Sequence, residues 1–133
     1  MPEETLFIVK PDAVARGLTG HIMARFEAKG FEITRLAMLR LTKNQAESFY
    51  AVHRDKPFFD ELVSFITSGP VVACTIRGNN AVATTRIMVG ATKSYEAAPG
   101  SIRGDLGLGL SNNVIHASDS AASFEHESGV VFP

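Results

Sequence analysis

The run Asn113-Val114-Ile115-His116-Ala117-Ser118-Asp119-Ser120 sets a histidine at the end of a short apolar strand, just ahead of a helix start. Imidazole is the side chain best suited to act as a nucleophile near neutral pH, because its unperturbed pKa is about 6.5. At pH 7 roughly three quarters of it is neutral, so His116 needs no special activation. A histidine alone carries no such meaning, and its surroundings decide. His21, His53 and His126 lack comparable neighbours in the sequence and read as surface residues.

The surroundings that would matter are cationic. Transfer of a phosphoryl group needs a nucleophile in line and positive charge around the equatorial oxygens. Lys10 ends the first apolar run, Arg86 lies on a helix ahead of a long loop, Arg103 lies inside that loop, and Thr92 adds a hydroxyl donor. Arginine suits the task, because its planar fork binds phosphate bidentately and stays charged. Singly, each reads as readily as a solvated strand end, a helix-surface charge or a loop ion-pair partner. Both arginines are expected near the surface. The Gly-x-x-x-x-Gly-Lys-Ser/Thr loop and the protein-kinase signatures are absent from the sequence, so those two solutions to phosphate binding are excluded.

The elements that must position these groups follow from periodicity. Thr5 to Val9 is a short apolar run that reads as a buried strand. A helix follows from about Thr19 to Lys29, with Ile22, Met23 and Phe26 on one face, Thr19 as a cap and Gly30 as its stop. Phe31 to Leu41 returns to strand, and Arg35 breaks its phase, which points to a bulge or a contact there. Thr42-Lys43-Asn44-Gln45 is a capping box opening a helix with Ala46, Phe49 and Tyr50 on one side. After Pro57 a second helix carries Phe58, Leu62, Phe65 and Ile66 until Gly69. Val71 to Ile76 is the next strand, Asn79 or Asn80 can cap a helix to Val89, and Gly90 stops it. Asn113 to Ile115 form the last strand, and Asp119 or Ser120 starts the last helix. Gly90 to Asn112 is too long for a mere connector, and ordered loops of that length are usually functional. The order βαβααβα, long loop, βα suits a four-stranded antiparallel sheet with helices packed on it, the ferredoxin-like α+β arrangement.

Composition sets the bounds. A chain of 133 residues is expected to form one domain over 1–133 with a real core. Thirteen basic against fourteen acidic side chains leave a net charge of −1, so a basic site must be local and a general nucleic-acid or membrane surface is not expected. Cys74 is the only cysteine and lies in an apolar run, where a buried hydrophobe is the expected role. Met1-Pro2-Glu3-Glu4 has neither the basic start nor the apolar core of a signal peptide, and no run is long enough to span a bilayer. A cytoplasmic location is the expectation.

Lys10-Pro11-Asp12, Arg16-Gly17-Leu18, Gly20, Arg25-Phe26-Glu27, Lys29-Gly30-Phe31, Pro57-Phe58-Phe59, Ser68 to Val72, Pro99 to Asp105 and Asn113 to Ser120 resemble, in order and spacing, the nucleoside diphosphate kinases. Short motifs match by chance one at a time; this series runs from Lys10 to Glu127. The resemblance implies the ferredoxin-like fold and ping-pong transfer of a γ-phosphate between nucleoside triphosphates and diphosphates. It implies that His116 is the phosphorylated nucleophile, with Glu127 orienting its ring, Ser118 in the same network and Tyr50 close by. Arg86, Thr92 and Arg103 would clamp phosphates, and Lys10 with Asn113 would bond the sugar hydroxyls and phosphate. Phe58 and Leu110, with Leu62 nearby, would hold the base by stacking, which selects no particular base; simple helix packing is the competing role for Phe58 and Leu62. Mg²⁺ would ride on the nucleotide, with no first-shell metal ligand from the protein. A homo-oligomer is implied, a hexamer first, a tetramer or dimer next.

Several positions differ from the family pattern: Lys93-Ser94-Tyr95 where a proline is common, Leu106 for a phenylalanine, Asn112 for an arginine, and Ser128 for an aliphatic residue. The sequence stops at Pro133, so weaker assembly than in longer members is expected. Two rivals follow. One is a non-catalytic relative that keeps only the nucleotide slot. The other is a ferredoxin-like nucleic-acid module, against which the missing basic, aromatic RNP-type motif counts.

Overall fold

A computed structural model describes residues 2–110 and 112–133. In chain order its strands and α-helices are β1 (Pro2–Val9), α1 (Pro11–Ala15), α2 (Thr19–Lys29), β2 (Glu32–Leu39), α3 (Lys43–Phe49), α4 (Phe59–Ile66), β3 (Val71–Asn79), α5 (Ala81–Val89), α6 (Ile102–Leu106), β4 (Ile115–Ala117) and α7 (Ala121–Val131). The strands form a sheet of order β2-β3-β1-β4 with every pairing antiparallel. This is the ferredoxin-like α+β sheet that the element order implies.

The strand order explains the apolar runs. β1 and β3 are central, and helices cover both faces. Leu6 and Ile8 of β1 therefore enter one core with Phe49, Val63 and Ile66 from α3 and α4. Phe7 and Val9 enter the other with Ile22 and Phe26 of α2 and Val89 of α5. A strand buried on both faces needs apolar residues at every position rather than at alternate ones. Phe7 and Phe26 stack with centroids 4.2 Å apart, which joins β1 to α2. Burial pushes the Cys74 thiol up to about 12, so this cysteine behaves as a small core hydrophobe.

Local signals placed several helix ends. Thr42 Oγ1 accepts from Gln45 N–H, and Gln45 Oε1 accepts from Thr42 N–H. Gly30 ends α2 at φ 110°, a left-handed value that glycine adopts without strain. Ser120 caps α7 by accepting from Ser123 N–H. The expected break in β2 is a one-residue bulge at Thr34, between Ile33 paired with Ile76 and Arg35 paired with Thr75. Arg35 also lies over the Phe132 ring, 4.7 Å from its centroid.

Other expectations need correction. α2 is preceded by Leu18 and has no side-chain cap, so Thr19 is its first residue rather than its cap. Asn80 precedes α5 at φ 53° without a side-chain bond; it turns the chain instead of capping the helix. β3 runs on to Asn79 because β1 pairs with it as far as Pro2. β4 spans Ile115–Ala117, two residues later than expected, because pairing with β1 begins at Ile115 opposite Val9. α1 and α6 have five residues each, too short to show a helical period.

Candidate active site

β1 delivers Lys10 where its pairing with β4 begins. Lys10 N–H donates to Val114 O at 2.9 Å, and Lys10 Nζ donates to Asn113 Oδ1 at 2.7 Å. Asn113 Nδ2 donates in turn to Thr92 O at 2.9 Å. One chain of bonds thus joins β1, the turn before β4 and the long loop. In that turn Val114 has φ 65°, and Ile115 N–H donates to Asn113 O at 2.8 Å. A β-branched residue in the left-handed region is strained. Asp12 Oδ2 holds it there by accepting from Val114 N–H at 3.2 Å.

The turn aims His116. It pairs with Ile8, so it shares the face of the sheet covered by α3, α4 and α7. Phe49 meets the imidazole edge-on at 5.0 Å and Tyr50 at 6.3 Å. Nε2 lies 2.9 Å from Glu127 Oε1, and Ser118 Oγ donates to the same oxygen at 2.7 Å. A carboxylate only accepts, so Nε2 carries the hydrogen. The lone pair is left on Nδ1, which has no hydrogen bond among the described residues. Burial first, then the Glu127 charge, raise the Tyr50 hydroxyl, which stays a neutral phenol.

Two arginines bracket His116 along β4. Arg103 Nη2 donates to Ile115 O at 2.7 Å and Nη1 to Gly90 O at 3.2 Å. Arg86 Nη1 donates to Ala117 O at 3.1 Å. Arg103 is only 4% exposed, against the expectation of a surface position, because α6 folds the long loop back onto the sheet. Gly104 permits that close packing: a Cβ there would sit 2.0 Å from Ala98 O. Burial and then Arg86 lower Arg103 to about 10, still a cation at neutral pH, and its Nε is buried with no protein partner among the described residues. Lys10 is lowered to about 7, by burial first and then by Arg103, with Asp12 opposing.

A pocket of about 350 Å³ opens over these groups, lined by Lys10, Tyr50, Phe58, Leu62, Arg86, Thr92, Arg103, Leu110, Asn113, His116 and Glu127. Ser118 stands fully buried behind Glu127. The fold thus gathers every site residue expected from the sequence. The buried face of α4 is Phe59, Val63 and Ile66. Phe58, at 41% exposed, is turned out to the pocket with Leu62, which removes simple core packing as its role.

Sequence reading missed five further lining residues: Val52, His53, Ala117, Asp119 and Ser123. His53 is no surface residue. Its Nδ1 is buried without a partner, its ring lies 5.7 Å from that of Phe58, and burial, Lys56 and His116 lower it, which keeps it neutral. Its place between Tyr50 and Phe58 in the sequence was the only available signal. Asp119 accepts from Ser123 Oγ at 2.5 Å, which with Arg86 holds its carboxyl below the usual range.

A sheet of this order, with an imidazole and three basic side chains gathered where β1 ends beside the start of β4, defines a ferredoxin-like phosphotransferase. A nucleic-acid-binding sheet of this type would instead present aromatic residues on an open face. Residues 3–133 match the family model described as nucleoside diphosphate kinase. A nucleoside diphosphate kinase of Picrophilus torridus is 54% identical over 98% of this chain and 94% of its own. A cytosolic nucleoside diphosphate kinase of Dictyostelium discoideum is 53% identical over 98% of this chain and 84% of its own. A halophilic nucleoside diphosphate kinase of Halobacterium salinarum, solved in complex with CDP, superposes with a TM-score of 0.96 at 46% identity, covering 99% of this chain and 88% of that one. The chain belongs to the nucleoside diphosphate kinase family. It is an enzyme that transfers the γ-phosphate of a nucleoside triphosphate to a nucleoside diphosphate.

Proposed function

We propose that residues 1–133 work as one unit in which His116 carries the phosphoryl group between two half-reactions at one site. Nδ1 attacks the γ-phosphorus of a bound triphosphate. The N–P bond forms as the bond to the bridging oxygen breaks, and that oxygen leaves with the electron pair as the terminal oxygen of the diphosphate. A second diphosphate then takes the group back by the reverse step. The proton on Nε2 stays between the ring and Glu127 throughout, so no base has to move one.

The observation that carries this reading is the 2.9 Å contact of His116 Nε2 with Glu127 Oε1, an oxygen that Ser118 also holds, which favours one tautomer of the ring. Arg86, Arg103, Thr92 and Lys10 are the donors for phosphate oxygens, and Asn113 with Lys10 the partners of the sugar hydroxyls. Phe58 and Leu110, with Leu62, form the base slot, and Tyr50 packs the imidazole. The CDP held by the Halobacterium relative is a ligand of the same class.

The donor set of the pocket is cationic and neutral apart from Asp119 and Glu127, and Glu127 is committed to His116 and Ser118. That suits a Mg²⁺ ion carried by the nucleotide, with the ionised Asp119 as the carboxylate able to meet it through water. When bound, the ion neutralises charge on the phosphates.

The chain is proposed to work as a homo-oligomer, a hexamer before a tetramer or dimer. β2 is an edge strand whose Leu36 and Met38 are 54% and 64% exposed, a surface that pairing with a second copy would cover. A cytoplasmic location, without membrane or nucleic-acid partners, fits the cytosolic relative. No helix among the described residues is long and apolar enough to cross a membrane.

Incubation with γ-labelled ATP and Mg²⁺ tests the mechanism. The protein should hold an acid-labile, alkali-stable label, His116→Ala should hold none, and steady-state double-reciprocal lines should run parallel. Label persisting on His116→Ala, or intersecting lines, would overturn it.

A further inference from the structure

α7 carries two neighbouring polar residues, and only the second of them, Glu127, touches His116. The first, His126, points the other way. Its Nε2 lies 2.7 Å from Ser48 O in the last turn of α3. A carbonyl only accepts, so Nε2–H donates, whether the ring is neutral in that tautomer or protonated. This is the only hydrogen bond joining α3 to α7 among the described residues, and it spans 78 positions of sequence. The carbonyl lies in the last turn of α3, where the N–H of the capping residue Tyr50 also faces it. The two residues after Ser48 are Phe49 and Tyr50, the two rings packed edge-on against His116.

We infer that His126 is a positioning residue for phosphoryl transfer, tying the helix that carries Glu127 to the helix end that carries Phe49 and Tyr50. The imidazole of His116 is fixed by two supports on different helices, a carboxylate from α7 and an aromatic corner from α3. Besides that bond the two helices meet through apolar side chains of one core, Val131 of α7 and Ala46 and Phe49 of α3. Apolar packing sets depth but resists sliding poorly, whereas one directional bond fixes the offset between the two helices. A shift of either helix would stretch the Nε2–Glu127 bond and free the ring to adopt its other tautomer. Misplacement on that scale reduces rate far more than it reduces binding. The inference rests on the reading of His116 as the phosphorylated residue.

The test compares the intact wild-type chain with His126→Ala and His126→Gln, the latter keeping an N–H donor at similar reach. Three quantities are read: the single-turnover rate of phosphorylation by ATP and Mg²⁺, nucleoside diphosphate affinity by calorimetry, and the ring ¹⁵N resonances of His116. His126→Ala should slow phosphorylation roughly three- to tenfold, the effect of one lost hydrogen bond, with affinity unchanged within about twofold. Its His116 resonances should move from a single Nε2–H tautomer towards a mixture, and His126→Gln should restore both rate and spectrum. An unchanged rate with unchanged His116 resonances in His126→Ala would overturn the inference. So would a His126→Gln variant no better than His126→Ala, or a loss confined to nucleotide affinity. Where His126→Ala folds poorly, His126→Gln against His126→Leu at matched folded fraction decides the same point. Failure of the underlying reading is distinct: the wild-type chain itself would then take up no label on His116.

Discussion

Arg103 and Arg86 hold carbonyls on either side of His116, yet they are not equivalent. Arg103 is buried, and its removal would leave the Gly90 and Ile115 carbonyls without their donors. Arg86 is only half-buried and holds the Ala117 carbonyl alone. Each alanine variant should lose on the order of 10²-fold in rate, the usual effect of removing one preorganised charge-stabilising donor. Only Arg103→Ala should also lose about 1–3 kcal/mol of stability through unpaired buried carbonyls. Rates with parallel thermal melts check this, and equal melting for both variants would contradict it. Lys10 supplies a pH prediction. Burial lowers it to about 7, so above pH 7 the free protein holds it mostly neutral. An arriving phosphate favours the ammonium and raises that value. Binding of a nucleoside diphosphate at pH 8 should therefore take up a proton, and well below pH 7 this uptake should vanish, since the group is already charged. Calorimetry in buffers of different ionisation enthalpy measures it; wild-type uptake of zero at pH 8, or an uptake that persists in Lys10→Met, would refute the assignment.

At the scale of elements, α3 and α7 hold the supports of His116, and they are stabilised differently. α3 relies on its reciprocal cap. Thr42→Ala should cost about 1 kcal/mol and, by loosening α3, lower stability more than it lowers nucleotide affinity. α7 carries Gly129 in its interior, exposed and with no heavy atom within 4 Å of where a Cβ would lie. Gly129→Ala should therefore stabilise by about 0.5–1 kcal/mol with unchanged kcat. Chemical denaturation reads both changes, and a destabilised Gly129→Ala would mean that this face of α7 is covered by something else. The long loop is an element as well. It folds into α6 because Ser101 caps it by accepting from Gly104 N–H at 3.0 Å. It is pinned to α2 because Asp105 bonds Arg25 at 2.8 Å.

For the whole molecule, the free edge of the sheet is the surface that a second copy would cover. β2 lies at the sheet's edge with Leu36 and Met38 facing outward. A lysine at either position would place charge in the contact that edge pairing makes, and charged edges oppose association. Sedimentation of Leu36→Lys and Met38→Lys at micromolar concentration should give smaller species than the wild-type chain. Identical sedimentation of all three, or a wild-type monomer, would remove β2 as the subunit interface.

The sequence by itself determined the element types wherever pattern or chemistry was local. The capping box at Thr42, the glycine stop at Gly30 and the apolar runs of β1 and β3 each needed only neighbours along the chain. The site residues were legible because a series of short motifs kept one order and spacing, and the fold gathers all of them. Only the tertiary structure decided the rest. Val114 adopts a strained turn because Lys10 and Asp12, about a hundred positions away, hold its backbone. Arg103 is buried because α6 is too short to show a period but packs tightly across Gly104. His53 lines the pocket because Tyr50 and Phe58 flank its ring, and His126, exposed as expected, reaches Ser48 of α3, 78 positions away. Backbone propensity and capping are properties of a few consecutive residues, whereas burial, register and the partner of a ring nitrogen are properties of contacts between distant segments.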